Sequence, residues 1–271
     1  MPTATNDGVS IHYVDEGEGR GGGGDRGTDR GDAVLFLGDL GYGAWQWGWQ
    51  HGAVAGPVRT LVPDLRGAGR SDAPPGPYSV SDLAADAAAV LADAGVRTAT
   101  VVGAGLGGMV ALDLARNTGR VDRLVLLGTA AHGAALDLDR LRADPDDPGS
   151  WERSLAAATS ARFREAQPAV VEQITEWRRG EDATGDTWAA QAAAVRDFDA
   201  RDWLHEVTVP ALVVHGAADA VWPPERARAL ADDLPRGSFR RIDDVGHLVW
   251  VEASRVVNDE LLAVLDDRDD A

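Results

Sequence analysis

A chain without cysteine cannot attack with a thiolate, bind a metal through sulfur or form a disulfide. What remains are 44 carboxylates, six histidines and the hydroxyl side chains, set around one prominent glycine cluster. That cluster is Thr100-Val101-Val102-Gly103-Ala104-Gly105-Leu106-Gly107-Gly108-Met109-Val110-Ala111, which reads as a strand, a tight turn and the start of a helix. Gly103, Gly105 and Gly108 fit the G-x-G-x-x-G spacing that lets a pyrophosphate approach a helix N-terminus. Such chemistry asks for the motif in the first strand–helix unit, with an acid about 20 residues further on to hold a ribose. Here several apolar runs come first, and the next one ends at Leu127-Gly128-Thr129 without a carboxylate. Nucleotide binding is therefore the weaker reading of these glycines. His12, His51, His132, His205 and His215 are scattered, form no ligand pair at i, i+4, and read as packing or surface residues rather than metal ligands.

The competing reading is a sharp strand-to-helix turn that presents one side chain at its tip. In position and flanks the cluster resembles the G-x-S-x-G elbow of the α/β-hydrolase family, with Ala104 where the family usually has His and Gly105 where it has the nucleophilic serine. Further segments resemble the family in its own order. Leu37-Gly38-Asp39-Leu40-Gly41-Tyr42-Gly43 aligns with the oxyanion loop, usually His-Gly-x, so that Gly38 stands for the His and Asp39 for the Gly. Val62-Pro63-Asp64-Leu65-Arg66-Gly67-Ala68-Gly69-Arg70-Ser71-Asp72 resembles the Asp-x-x-Gly-x-Gly-x-Ser loop, with Ala68 replacing its usual His. The run Pro210 to Asp219 is similar to the strand and turn that deliver the acid of the triad, and Asp244 to Glu252 to the loop that carries its base. The resemblance implies Asp219 as the acid, His247 as the base, the N–H groups of Leu40 and Leu106 as oxyanion donors, and Gly105 as a vacant nucleophile position. It also implies that Ser71 is structural and closes a loop.

Glycine has no group that can attack, so an acyl-enzyme at position 105 is chemically impossible. A His–Asp pair remains a working general base without a protein nucleophile, because the acid fixes the tautomer and raises basicity. Some members of the superfamily use such a dyad for lyase or cofactor-independent oxygenase chemistry. Removing the serine side chain would leave room for a water or a substrate oxygen between His247 and the N–H donors. Asp39 is expected to turn outward or cap its loop, since an inward carboxylate opposes a developing oxyanion. If it points inward, it could serve as an acid, a base or a nucleophile. Asp39, Ala104, Trp45 and Trp250 are the candidate pocket residues. Trp45, Trp47 and Trp49 alternate in what reads as a loop, so that at least one lines the pocket while the others pack on the core.

Two functions follow. One is hydrolase- or lyase-like chemistry on a small molecule, with His247 and Asp219 as general base and a backbone oxyanion hole. The other is a non-catalytic ligand-binding protein, motivated by joint loss of the serine, its flanking His and the oxyanion-loop His-Gly. An ordinary serine esterase carrying one substitution does not account for Ala104, Ala68 and Gly38.

Placing these groups requires a mostly parallel sheet flanked by helices, the α/β-hydrolase plan. Apolar runs at Val34–Leu37, Arg59–Pro63, Thr100–Val102, Leu124–Leu127, Ala211–His215 and Ser238–Ile242 alternate with helical patterns at 80–94, 107–117, 224–233 and 252–265. Residues 1–129 and 208–271 form the expected core, and 130–207, helical in spacing, a cap insertion in which Arg178 and Arg179 read as a solvated face. An alternating segment, Val9–Val14, precedes a glycine-rich stretch at 16–32, expected to be a flexible loop joining two hairpin strands. Gly21 to Gly24 lack the Gly-Lys-Ser/Thr ending of a phosphate-binding loop.

The 271 residues carry a net charge of −18, and all 26 basic residues are arginine. Repulsion at that density is tolerable when molar salt shortens the Debye length to about 3 Å, so the composition resembles that of salt-adapted cytoplasmic proteins. A GC-rich genome explains arginine over lysine but not the acidity. Nucleic acid is an unsuitable partner for so acidic a chain. No apolar run approaches the roughly 18 residues of a membrane span, and no secretion signal is visible. A small-molecule substrate or ligand, a cytoplasmic location and no cofactor are the expectations; oligomeric state carries no signal.

Overall fold

The structure is a computed structural model describing residues 1–17, 33–55 and 58–266. All but the first two residues of the glycine-rich stretch 16–32 lie outside the described residues. Eight strands form one sheet in the order β1-β2-β4-β3-β5-β6-β7-β8. They are β1 Thr3–Asn6, β2 Val9–Glu16, β3 Ala33–Leu37, β4 Arg59–Pro63, β5 Ala99–Ala104, β6 Val121–Leu127, β7 Ala211–Gly216 and β8 Gly237–Ile242. The first two are antiparallel and the other neighbouring pairs, from β4 to β8, are parallel. This is the α/β-hydrolase fold.

β3 and β5 are buried at every residue, as expected for strands covered on both faces. Their Val, Leu and Ala runs have no polar alternation and no room for one. The hairpin is not formed by the strands flanking 16–32. β2 pairs with β1 and β4, while β3 lies between β4 and β5. The hairpin joins β1 to β2 through Asp7 and Gly8, whose φ values of 47° and 82° suit the tight turn that Asp-Gly favours.

Helices α1 Gly48–Val54, α2 Val80–Asp93, α3 Leu106–Asn117, α8 Pro224–Asp233, α9 Val249–Glu252 and α10 Ser254–Asp266 accompany the sheet. α2 starts at a capping box in which Ser79 and Asp82 exchange hydrogen bonds, and Val80, Leu83, Ala84, Ala87, Val90 and Leu91 form its buried stripe. The helical pattern at 252–265 is broken at Ala253 into α9 and α10. The tryptophan segment is not a loop: a short 3-10 turn, Ala44–Trp47, runs into α1.

Between β6 and β7 the chain passes through α4 Pro148–Ala158, α5 Ala161–Ala166, α6 Pro168–Glu181 and α7 Gly185–Asp197. Arg178, read as solvated from sequence, is 1% exposed. It bonds Asp182 at 2.7 Å and Ser154 at 2.9 Å, and its guanidinium lies over the rings of Tyr42 and Trp151. The periodicity of α6 could not reveal this, because what buries Arg178 comes from outside that helix. Among the described residues no helix is long and apolar enough to cross a membrane.

Candidate active site

The elbow between β5 and α3 is built on Gly105, whose φ of 45° and ψ of −112° are strained for any residue with a Cβ. Its N–H donates to the Leu127 carbonyl at 2.9 Å and its own carbonyl accepts from Thr129 Oγ1 at 2.7 Å. β3 runs parallel to β5 with Leu37 opposite Gly103, so the segment leaving β3 meets the elbow directly. That segment is held from below by buried Gln46. Gln46 Oε1 accepts the Asp39 N–H at 3.0 Å, and Nε2 donates to the carbonyls of Tyr42 and Gly43. Gly38 leaves room for this amide, since a Cβ there would stand 2.6 Å from Gln46 Nε2.

The Asp39 side chain is fully buried and points inward, contrary to the expectation that it turns outward. Oδ1 accepts the Leu106 N–H at 2.9 Å, and Oδ2 lies 2.7 Å from His247 Nε2. The physical reason is space together with partners. A Cβ on residue 105 would stand 1.6 Å from Asp39 Oδ1, so the carboxylate occupies volume that only a glycine leaves free. The gap expected to hold a water or a substrate oxygen is therefore filled by the protein itself.

On the other side of the imidazole, Nδ1 lies 2.8 Å from Asp219 Oδ2. Asp219 follows β7, where its Oδ1 accepts the N–H groups of Val221 and Trp222 at 2.9 and 2.8 Å. A third group meets the same carboxylate. His215 Nε2 is 3.2 Å from Asp219 Oδ2 and 2.8 Å from the Trp222 carbonyl, which can only accept, so this nitrogen carries the proton. His215 is four residues before Asp219. That spacing was the one signal for it, and the strand setting hid it.

His247 is thus a fully buried ring between two carboxylates. Burial alone disfavours the charged ring, but Asp219 and Asp39 together outweigh it and push His247 up to about 10. Both ring nitrogens then donate, and the resting site is an Asp39–His247–Asp219 ion chain rather than a free base. Asp219 is opposed by burial, yet the His247 charge beside it holds its carboxyl well below the usual range.

Aromatic walls enclose the ring. Trp222 stacks parallel to His247 at 6.0 Å between centroids, and Trp250 meets it edge-on at 5.7 Å. Tyr42 is buried and its hydroxyl has no hydrogen-bond partner among the described residues. Burial pushes that phenol up, opposed by Arg178 and helped by the Asp39 and Asp219 charges. The Leu40 N–H is likewise unbonded among the described residues, whereas the Leu106 N–H is spoken for by Asp39. Ala104, at the end of β5, is fully buried. Trp45 belongs to the contact with α6: its indole N–H donates to Asp182 at 2.8 Å and its ring stacks on Trp177. Ser71 closes its loop, donating to the Asp64 carbonyl at 2.6 Å and accepting the His12 N–H at 3.0 Å.

Residues 58–254 match the family model of the alpha/beta hydrolase fold. The chain is 26% identical to 3-oxoadipate enol-lactonase 2 of Acinetobacter baylyi, over 97% of this chain and 96% of that one. Among solved structures it superposes on the enol-lactonase of Burkholderia xenovorans with a TM-score of 0.84 at 25% identity, covering 98% and 100% of the two chains. A thermophilic esterase of Thermogutta terrifontis gives 0.82 at 26% identity, with 98% and 96% covered.

Proposed function

Since the chain belongs to the alpha/beta hydrolase fold family, we propose that it is a small-molecule hydrolase that works without a serine, position 105 being a vacated nucleophile site. The observation that carries this reading is the His247 ring bonded through both nitrogens, to Asp219 on one side and to Asp39 at the elbow on the other. A histidine so held is a proton shuttle: it rests loaded, delivers its proton to an oxygen of the substrate, and is then free to take one from water. The unbonded Leu40 N–H is the donor that a substrate oxygen would meet. Ester and lactone hydrolysis by the relatives supports a small, neutral oxygen-bearing substrate.

The test is turnover of a panel of small esters, lactones, carbamates and epoxides in molar potassium chloride. Replacing His247 by Ala is expected to lower every activity found by about 10²- to 10⁴-fold, the usual worth of a positioned proton-transfer group. Unchanged rates in that variant would sink the proposal.

A second reading is a binding protein that turns nothing over. What favours it is the Leu106 N–H, already satisfied by Asp39, so an incoming oxyanion finds one backbone donor fewer than a serine hydrolase offers. Turnover of any panel member, lost with His247, decides against it.

The setting is proposed to be a salt-rich cytoplasm. A net charge of −18 without lysine supports this, and it speaks against nucleic acid as a natural partner.

A further inference from the structure

We propose that Asp39 is the nucleophile of this site and that it serves strained cyclic ethers, epoxides. The inference rests on the hydrolase reading above and adds to it the attacking atom and the substrate class.

Three observations lead there. The Asp39 carboxylate stands where a side chain on the elbow residue would begin, 1.6 Å from the Cβ that Gly105 lacks. Its two oxygens hold the partners an attacking oxygen at that elbow needs, His247 Nε2 at 2.7 Å and the Leu106 N–H at 2.9 Å. The loop that carries it also holds two buried donors without partners among the described residues, the Leu40 N–H and the Tyr42 hydroxyl. Buried donors are rarely left unmatched unless something else is to accept from them. Carboxylates are established covalent nucleophiles elsewhere in enzymology, so the group is competent as well as placed.

The substrate class follows from what a carboxylate can displace. Against an ester it forms an intermediate that collapses backward, because carboxylate leaves far more readily than alkoxide. Against a three-membered ring, attack and departure are one displacement at a tetrahedral carbon, and ring strain drives it. The ring oxygen then needs a proton, and His247 holds one facing the site. An alkyl halide needs no such proton and would leave His247 still loaded when the next step requires a base.

The first step forms a bond from an Asp39 carboxylate oxygen to a ring carbon while that carbon's bond to the ring oxygen breaks. The electron pair goes to the ring oxygen, which takes the proton from His247 Nε2. Asp39 is now a neutral ester and His247 a neutral ring oriented by Asp219. In the second step His247 takes a proton from water as the water oxygen bonds to Asp39 Cγ, with the Leu106 N–H facing the oxyanion. The bond between Cγ and the alkyl oxygen breaks, and its electron pair leaves with that oxygen, which takes the proton from His247; the second hydrogen of the water, left on the Asp39 carboxyl, then passes to His247 Nε2, 2.7 Å away. The sum is epoxide plus water giving a vicinal diol, with Asp39 and His247 restored.

The two steps mark different atoms with the oxygen of solvent, which gives the test. Native chain in excess over styrene oxide, in molar potassium chloride made with isotopically heavy water oxygen, is quenched after one turnover. We expect heavy oxygen in the Asp39 side chain, located by fragment masses of the Gly31–Arg59 peptide, and unlabelled diol. Asp39→Asn, checked for folding by its thermal transition, is expected to lose at least about 10³-fold in diol formation. Heavy oxygen in the first-turnover diol with none on Asp39 overturns the nucleophile and leaves His247 acting on water directly. Styrene oxide left intact while esters or lactones are hydrolysed overturns the substrate class and spares the hydrolase reading. No turnover of any compound overturns both.

Discussion

At the scale of the residue, two departures from the family pattern become one. Gly105 where a serine is expected and Asp39 where a glycine is expected read separately as a loss and an oddity. In space they are complementary, because the side chain missing from one loop is present on the other. The sequence contained both facts but not their adjacency, and the direction of a side chain depends on free volume that only the assembled loops define. The prediction is reciprocal. Gly105→Ser alone forces a Cβ against Asp39 Oδ1 and a non-glycine φ of 45°, and is expected to cost about 1–3 kcal/mol for the backbone strain alone, read by denaturant unfolding. Adding Asp39→Gly removes the clash and frees the Leu106 N–H. An organophosphorus probe should leave the native chain and the single variant unlabelled and should label the double variant, stoichiometrically if His247 and Asp219 keep their places. Labelling of the native chain would place an attacking hydroxyl in the site and overturn the vacancy at 105.

At the scale of the element, the strands were legible because continuous Val, Leu and Ala runs admit few alternatives, and α2 was legible because Ser79 announces its start. Strand partners were not, since pairing is chosen by the whole sheet and not by local pattern. Nor was α1, a helix of seven residues, two of them glycine, with no capping side chain. The helices between β6 and β7 act on the site through the loop that carries Asp39. Asp182, just after α6, accepts from the Gly43 N–H and the Trp45 indole, and Gln191 in α7 accepts the Gly41 N–H at 2.8 Å while donating to the Arg66 carbonyl at 2.8 Å. Gln191→Ala would strand two buried backbone groups, which cost about 1–3 kcal/mol each when left unmatched. The expected result is a lower unfolding midpoint together with reduced turnover, since the loop loses one of its anchors. Full activity at reduced stability would show that Gln46 alone sets the position of Asp39.

At the scale of the whole molecule, charge governs stability in two opposed ways. Surface repulsion at −18 should fade as the Debye length contracts from about 10 Å at 0.1 M salt to about 3 Å at 1 M, so the thermal midpoint is expected to rise steeply over that range. A flat response would remove the argument for salt adaptation. The buried ion chain responds to pH instead. His247 is raised from 6.5 to about 10, so its contribution is complete below about pH 6.5 and is lost as the pH climbs toward 10. Asp219 is lowered from 3.8, so its contribution is present above about pH 4 and is lost on acidification below that. The charged groups facing the ring are Asp39 and Asp219, with His215 meeting the latter at 3.2 Å. Stability in molar salt should therefore decline on the alkaline side in the native chain and lose that decline in His247→Gln. The parallel pairing of β3 with β5 has one more consequence, which concerns descent. Because the sheet places residues 39 and 105 at one point, a serine on one loop and an aspartate on the other exclude each other. A mutational path that avoids the clash runs through a chain with a small residue at 39 and glycine at 105, bearing neither group. Single-site scans will accordingly record side chains at 105 as damaging while Asp39→Gly meets no clash, and the exchangeability of the pair will be visible only as epistasis between them.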